Sequence, residues 1–307
     1  MISINGLTFY YPKCDTPVLD DINLTIEEGS LYGLLGPNGA GKSTLIALLT
    51  GLYTDNSNAI FIKGKPLTSQ LSKIKQCAGY IPQDYAFYPN LTGTENLDFF
   101  SGIQGLSSPL KKQRIEYCLD FCQLQAVANQ HASKYSGGLK RRLNIAIGLL
   151  TDPEIIYFDE PTVGIDPQSR SFILEKILDL NQQGKTIIYT SHYMEEIEKI
   201  CDKVAILDHG KILVHGSLNE LKNTHNLQLI IECTHTPNTE ALKKLNTHYT
   251  LQASPSRLVF DNMQTIDDCA DTLKLLSSLD IPVTQVTYGK MSLETLFMQL
   301  TSKSLRD

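Results

Sequence analysis

The chain opens with short stretches that place apolar residues at strand spacing: ISINGLTFYY and, after a loop at PKCDTP, VLDDINLTI each predict a strand. Glu27, Glu28 and Gly29 mark a turn. SLYGLLG is a continuous apolar run of buried-strand length, PNGAG a turn, and KSTLIALLTGL a helix with Leu45, Leu48 and Leu49 on one side. AGYIPQD predicts a further strand ending near Gln83. From about residue 85 to 152 the period becomes helical. Thr92 and Glu95 have the spacing of a capping box, KKQRIEYCLDFCQL is amphipathic, and YSGGLKRRLNIAIGLL begins a helix at Ser136, Gly137 and Gly138.

EIIYFDEP then predicts a buried strand ending in two acids, RSFILEKILDLNQQG a helix closed by Gly184, KTIIYTSH a strand, MEEIEKIC a helix and KVAILDHGKILVHG a hairpin turning at Gly210. Alternation of this kind implies an α/β core around a largely parallel sheet. A second unit begins near Asn226. It reads strand LQLIIEC, helix TEALKKLN, strands YTLQAS and RLVFD, helix TIDDCADTLKLLSSL, strand PVTQVTYG and helix SLETLFMQLT, the β-α-β-β-α-β order of a small ferredoxin-like α+β domain. The expected organisation is a first domain over 1–220, with a helical subdomain at about 85–152, and an accessory domain over 226–303.

Composition narrows the function classes. The chain has 307 residues, 42% hydrophobic and 20% charged, so a folded protein with a sizeable core is expected. A net charge of −6 and a pI near 5.7 argue against a broad nucleic-acid footprint, and no nucleic-acid partner is expected. No apolar run reaches membrane-spanning length, and the start MISINGLTFYYP lacks the order of a signal peptide. The seven cysteines are scattered and odd in number, which reads as reduced thiols; Cys118 and Cys122 share a helical face and read as small core residues.

The chemistry concentrates at strand ends. Gly36-x-x-x-x-Gly41-Lys42-Ser43 satisfies the phosphate-loop pattern in the strand-turn-helix setting it requires. Its backbone N–H groups can curl round an oxyanion, Lys42 supplies a point charge and the Ser43 hydroxyl can coordinate Mg²⁺. Asp159 ends the hydrophobic strand Ile155–Phe158, the place of the carboxylate that holds Mg²⁺ through its shell in phosphate-loop NTPases. Glu160 follows directly, placed to orient or deprotonate a water aimed at a γ-phosphate. His192 and Gln83 close neighbouring strands, where ligands gather in parallel sheets. Ser136-Gly137-Gly138 is a second helix start with free N–H groups, hence a second anion site.

GPNGAGKST, Gln83 in YIPQD, YSGGLKRR, IIYFDEP, VGIDP and TSH stand in the order found in ATP-binding cassette ATPases. Over roughly residues 1–220 the chain resembles the nucleotide-binding subunit of an ABC transporter. The resemblance implies a phosphate-loop NTPase fold that binds ATP and Mg²⁺, with Pro37, Asn38, Gly39, Ala40, Gly41, Lys42, Ser43 and Thr44 around the phosphates. It implies Ser43, Gln83 and Asp159 at the metal, Glu160 as base, His192 as γ-phosphate switch, Gln83 as link to the transport partner, and Tyr11 stacked on adenine, with Tyr10 as the neighbouring alternative. It also gives the second anion site a purpose. Two copies pair head to tail, so Ser136, Gly137 and Gly138 of one close over ATP held by the other, and Asp166 lies in the loop that crosses between them.

The family's common signature is Leu-Ser-Gly-Gly-Gln, whereas Tyr135 stands first here and Leu139 fifth. A non-glutamine fifth residue followed by KRR, with EPTVGIDPQSR after the acidic strand and a tail ending SLETLFMQLT, resembles the exporter type that pairs with separate ABC-2 membrane subunits, the drug-resistance and ion-efflux ATPases. The implied partners are a second ATPase subunit, identical or related, and integral membrane permeases. The implied location is the cytoplasmic side of the membrane. An importer subunit, or a non-transport ABC ATPase acting on ribosomes or DNA, is the alternative.

Overall fold

A computed structural model describes residues 1–54, 57–223, 227–234, 245, 250–254, 256–263, 265–289 and 292–301. The chain forms two compact units, Met1–Gly216 and Ser217–Ser304. In chain order the first contains β1 (Ile2–Phe9), β2 (Leu19–Ile26), β3 (Leu31–Leu35), α1 (Lys42–Leu49), β4 (Ile60–Ile62), β5 (Lys65–Pro66), α2 (Leu71–Cys77), β6 (Ala78–Ile81), α3 (Gly93–Ile103), α4 (Ser108–Phe121) and α5 (Gly137–Gly148). It continues with β7 (Ile155–Asp159), α6 (Pro167–Gln182), β8 (Thr186–Ser191), α7 (Met194–Ile200), β9 (Lys203–Asp208) and β10 (Lys211–Ser217), whose last residue falls past the division.

The main sheet runs β10-β9-β3-β8-β7-β6, with β9, β3, β8, β7 and β6 paired in parallel. Strands β3, β7 and β8 are buried at every position, because helices cover both faces of a parallel sheet. That is why they read in the sequence as continuous apolar runs rather than alternations. Replacing Ile156 or Ile187, both fully buried, by Ala costs about 2–5 kcal/mol. A second, antiparallel sheet, β2-β1-β4-β5, packs Ile2, Ile4, Ile22 and Ile60 with Leu45 and Leu48 of α1 into one core.

Parallel pairing brings the chemistry together. Leu35 pairs with Ser191, Asp159 with Thr190 and Ile81 with Phe158, so β3, β7, β8 and β6 all end at one edge. The segments leaving that edge carry Gly36, Glu160, His192 and Gln83. Strand β6 stops at Ile81, two residues before its sequence-predicted end, since Pro82 has no N–H to continue the ladder. Helix α5 lies against β6 almost backbone to backbone: a Cβ on Gly79 would stand 2.4 Å from the Gly148 carbonyl oxygen. The capping box at Thr92 and Glu95 forms as expected, with Glu95 N donating to Thr92 Oγ1 and Thr92 N to Glu95 Oε2.

The second unit holds α8 (Leu218–Asn223), β11 (Leu227–Cys233), β12 (Thr250–Ser254), β13 (Arg257–Met263), α9 (Ile266–Ser278), β14 (Val283–Gly289) and α10 (Leu293–Thr301). Its sheet order, β12-β13-β11-β14 with every pairing antiparallel, is that of a ferredoxin-like sheet. Leu229, Ile231, Leu258, Phe260 and Leu276 form its core. The expected helix TEALKKLN falls outside the described residues apart from Leu245, which is buried.

Candidate active site

The loop between β3 and α1 hands the chain over at Gly41, which caps α1 with φ 109°. A Cβ there would meet Leu19 Cδ2 at 2.7 Å and the Val18 carbonyl at 3.1 Å, so only glycine fits. No side chain caps α1, which leaves its first N–H groups for an incoming anion. Pro37 and Ala40 act through their backbones. The Pro37 carbonyl accepts from Ala40 N at 3.2 Å, and the Ala40 carbonyl accepts from Gly210 N at 3.0 Å. Asn38, Gly39, Gly41, Lys42, Ser43, Thr44, Tyr11, Val18, Gln83 and Glu160 line a cavity of about 330 Å³.

Lys42 is buried and fully engaged. Its Nζ donates to the Gly36 carbonyl at 2.8 Å and the Pro37 carbonyl at 3.2 Å, and lies 3.0 Å from Glu160 Oε1. On the next residue, Ser43 Oγ donates to Asp159 Oδ1 at 3.0 Å. Thr190 Oγ1 donates to the same Oδ1 at 2.9 Å and accepts from Glu160 N at 2.9 Å, locking the two acids in register. Burial pushes the Asp159 carboxyl above its ordinary range, against the two hydroxyl bonds that pull it down. A buried carboxylate held by hydroxyls, with no ion-paired cation among the described residues, fits Mg²⁺ bound through one acid, one serine and substrate oxygens.

Glu160 has φ 46°, a left-handed backbone that costs about 1–3 kcal/mol in a non-glycine residue. The turn takes its side chain off the line of β7 towards Lys42 on one oxygen and His192 on the other, where Nδ1 lies 3.2 Å from Oε2. Tyr11 lines the cavity, its hydroxyl 2.9 Å from Thr44 Oγ1 and its ring edge-on to Phe9 and Tyr53. Tyr10 is half exposed and outside the cavity lining.

Gln83 sits at the cavity wall, on a loop gripped by α5. Arg141 Nη1 donates to the Gln83 carbonyl at 2.7 Å and the Pro82 carbonyl at 3.1 Å, and Asn144 Nδ2 donates to the Pro82 carbonyl at 3.0 Å. Ser136 caps the same helix, its Oγ accepting from Leu139 N at 3.4 Å. Asp166 caps α6, accepting from Ser169 N at 2.9 Å. Ser136, Gly137, Gly138 and Asp166 all stand outside the cavity. Gly138 abuts the start of α6: a Cβ there would lie 2.0 Å from Ser169 Oγ and 3.5 Å from Asp166 Oδ2.

Val18, Thr190, Arg141 and Asn144 belong to the site without a motif that names them. Thr190 carried a signal, since it precedes His192 by two and strand periodicity puts alternate residues on one side. The other three are fixed by contacts distant in sequence.

The sequence profile described as ABC transporter matches residues 19–163. The chain is 38% identical over 298 residues to the linearmycin resistance ATP-binding protein LnrL of Bacillus subtilis (strain 168), covering 94% of this chain and 95% of that protein. It is 30% identical to the Nod factor export ATP-binding protein I of Ralstonia nicotianae, over 100% of this chain and 95% of that one. A solved ATP-binding cassette, a dimer in a post-hydrolysis state with ADP and Pi, superposes with a TM-score of 0.65 at 26% identity, over 71% of this chain and 99% of that one. Similarity that runs nearly end to end, on a fold that assembles phosphate loop, acid pair and histidine at one sheet edge, identifies this chain as a member of the ABC transporter family, its ATP-hydrolysing subunit.

Proposed function

We propose that this ATPase is the motor of an ABC-2 type exporter, working as a head-to-tail dimer beneath separate membrane permease subunits on the cytoplasmic side. One observation carries the dimer: the Ser136-Gly137-Gly138 helix start stands outside the cavity that holds Lys42 and Glu160. Its N–H groups therefore have no phosphate to meet within their own chain, and a second chain supplies one. The dimeric cassette with bound ADP and Pi supports dimerisation. Exporter direction is supported by the relatives, which are named for linearmycin resistance and Nod factor export, and by similarity extending through the second unit. Among the described residues no helix is long and apolar enough to cross a membrane, so the path for cargo belongs to other subunits.

In this reading the phosphate loop and Lys42 hold the β- and γ-phosphates, and Tyr11 and Val18 flank the adenine. Ser43 and Asp159, with Gln83 beside them, would hold Mg²⁺, which would supply charge neutralisation for the phosphate oxygens. Glu160 takes the proton of the attacking water, and His192 holds the Glu160 carboxylate in place and contacts the γ-phosphate. Arriving phosphate competes for Lys42, which releases Glu160 to face the water. Asp166 and the Ser136 helix complete the partner's site. Recovery of the chain from native membranes in mild detergent tests the reading: a multi-helix membrane protein without its own ATPase domain is expected to accompany it. Recovery only with ribosomes or DNA-bound proteins overturns it.

A further inference from the structure

Glu196, on α7, lies outside the nucleotide cavity, yet it is only 3% exposed and its Oε2 accepts three hydroxyls. Tyr189 donates at 2.6 Å, Thr162 Oγ1 at 2.8 Å and Ser191 Oγ at 3.0 Å. Its other oxygen lies 3.3 Å from Arg170 Nε, an ion pair without hydrogen-bond alignment. The identity of these partners gives the cluster its meaning. Thr162 is two residues past Glu160; Ser191 directly precedes His192 and also accepts from Tyr193 N at 2.9 Å; Arg170 is one turn into the helix that Asp166 caps. One buried carboxylate thus ties together the segment carrying the base, the segment carrying the histidine and the helix behind the subunit-crossing loop.

We propose that Glu196 is a positioning residue that makes these three segments move as one, so that closure sensed at Asp166 is transmitted to the Glu160 and His192 of the same chain. This rests on the roles given above to Glu160, His192 and Asp166. A buried carboxylate with three hydroxyl bonds and a partly exposed arginine is a directional junction: the hydroxyls fix the end of β8 and the segment after Glu160, and the charge recruits α6. Glu196→Gln keeps an acceptor for the hydroxyls and removes the charge that draws Arg170. Arg170→Met keeps an apolar side chain of similar reach and removes the guanidinium, whose carbon lies 4.8 Å from the centre of the Tyr193 ring.

Steady-state ATPase assays on the full chain, with nucleotide binding and melting temperature measured in parallel, test the proposal. Glu196→Gln is expected to lower kcat about ten- to a hundredfold, as misplacement of a reacting group does, with ATP affinity within about threefold and a Hill coefficient falling towards one. Arg170→Met should act in the same direction, and the double variant should be no worse than Glu196→Gln, the mark of one shared interaction. Normal kcat and cooperativity in a folded Glu196→Gln chain overturn the proposal, as do additive effects or a fall in kcat matched by equal losses of affinity and melting temperature. If Glu196→Gln does not fold, Arg170→Met and Ser191→Ala carry the same test. Glu160→Gln separates the two layers: retained turnover there removes the base assignment, whereas its loss beside normal Glu196→Gln kinetics removes only the junction.

Discussion

Lys42 Nζ and Glu160 Oε1 stand 3.0 Å apart with both side chains almost wholly buried, so the proposed phosphate-binding cation and the proposed base neutralise each other. Removing one member of such a pair leaves a buried charge. Lys42→Ala is expected to lose about 3 kcal/mol of stability in addition to ATP affinity and turnover. Lys42→Ala combined with Glu160→Gln should recover most of that stability and none of the turnover, measured by chemical denaturation beside ATPase rates.

The buried Asp159 carboxyl gives a pH-dependent prediction. Its folded pKa lies above the unfolded value, so the charged form penalises the fold above the folded pKa, and the penalty fades as pH falls towards the unfolded value. Asp159→Asn should therefore melt no lower than the native chain at neutral pH without nucleotide, with any advantage shrinking in acid. The same variant should lose turnover and the extra stabilisation that Mg²⁺ with ATP gives the native chain. Melting curves across pH, with and without both ligands, check all three.

Gly138 touches Ser169 so closely that even a methyl group needs the starts of α5 and α6 to part. Gly138→Ala is expected to weaken ATP-induced dimerisation while sparing nucleotide binding to the monomer. Adding Ser169→Gly removes the clashing atoms and should restore dimerisation. Failure of that rescue would show that Gly138 serves through its own N–H geometry rather than through clearance from α6.

Tyr11 and its neighbour separate by position. Tyr11→Ala should raise the ATP KM about tenfold or somewhat less, the scale of one aromatic stacking contact, and Tyr10→Ala should leave it within about twofold. The kinetic pair is read at saturating Mg²⁺.

How far the sequence reached follows from which signals are local. The phosphate loop, Asp159, Glu160 and the Ser136 helix start each announce themselves within a few residues, and the apolar runs of β3, β7 and β8 place them at strand ends. What joins them is not local. Thr190 bridges Asp159 and Glu160 only because β7 and β8 pair in parallel with Asp159 opposite Thr190. Glu196 looks like any acid in the first turn of a helix until Tyr189, Thr162, Ser191 and Arg170 converge on it. Between residues 60 and 77, strands β4 and β5 and helix α2 went unread, since three alternating positions at Ile60–Ile62 are too few to show a period.

If each chain completes the other's ATP site, two differently disabled chains repair one site when mixed. Glu160→Gln lacks the base but keeps its Ser136 helix start; Ser136→Arg blocks that helix start but keeps the base. Each variant by itself should hydrolyse ATP at least about a hundredfold more slowly than the native chain. In a head-to-tail heterodimer one site carries both lesions and the other carries neither. The mixture should regain ATPase activity well above the sum of its parts. A mixture that forms heterodimers and stays at that sum would contradict it.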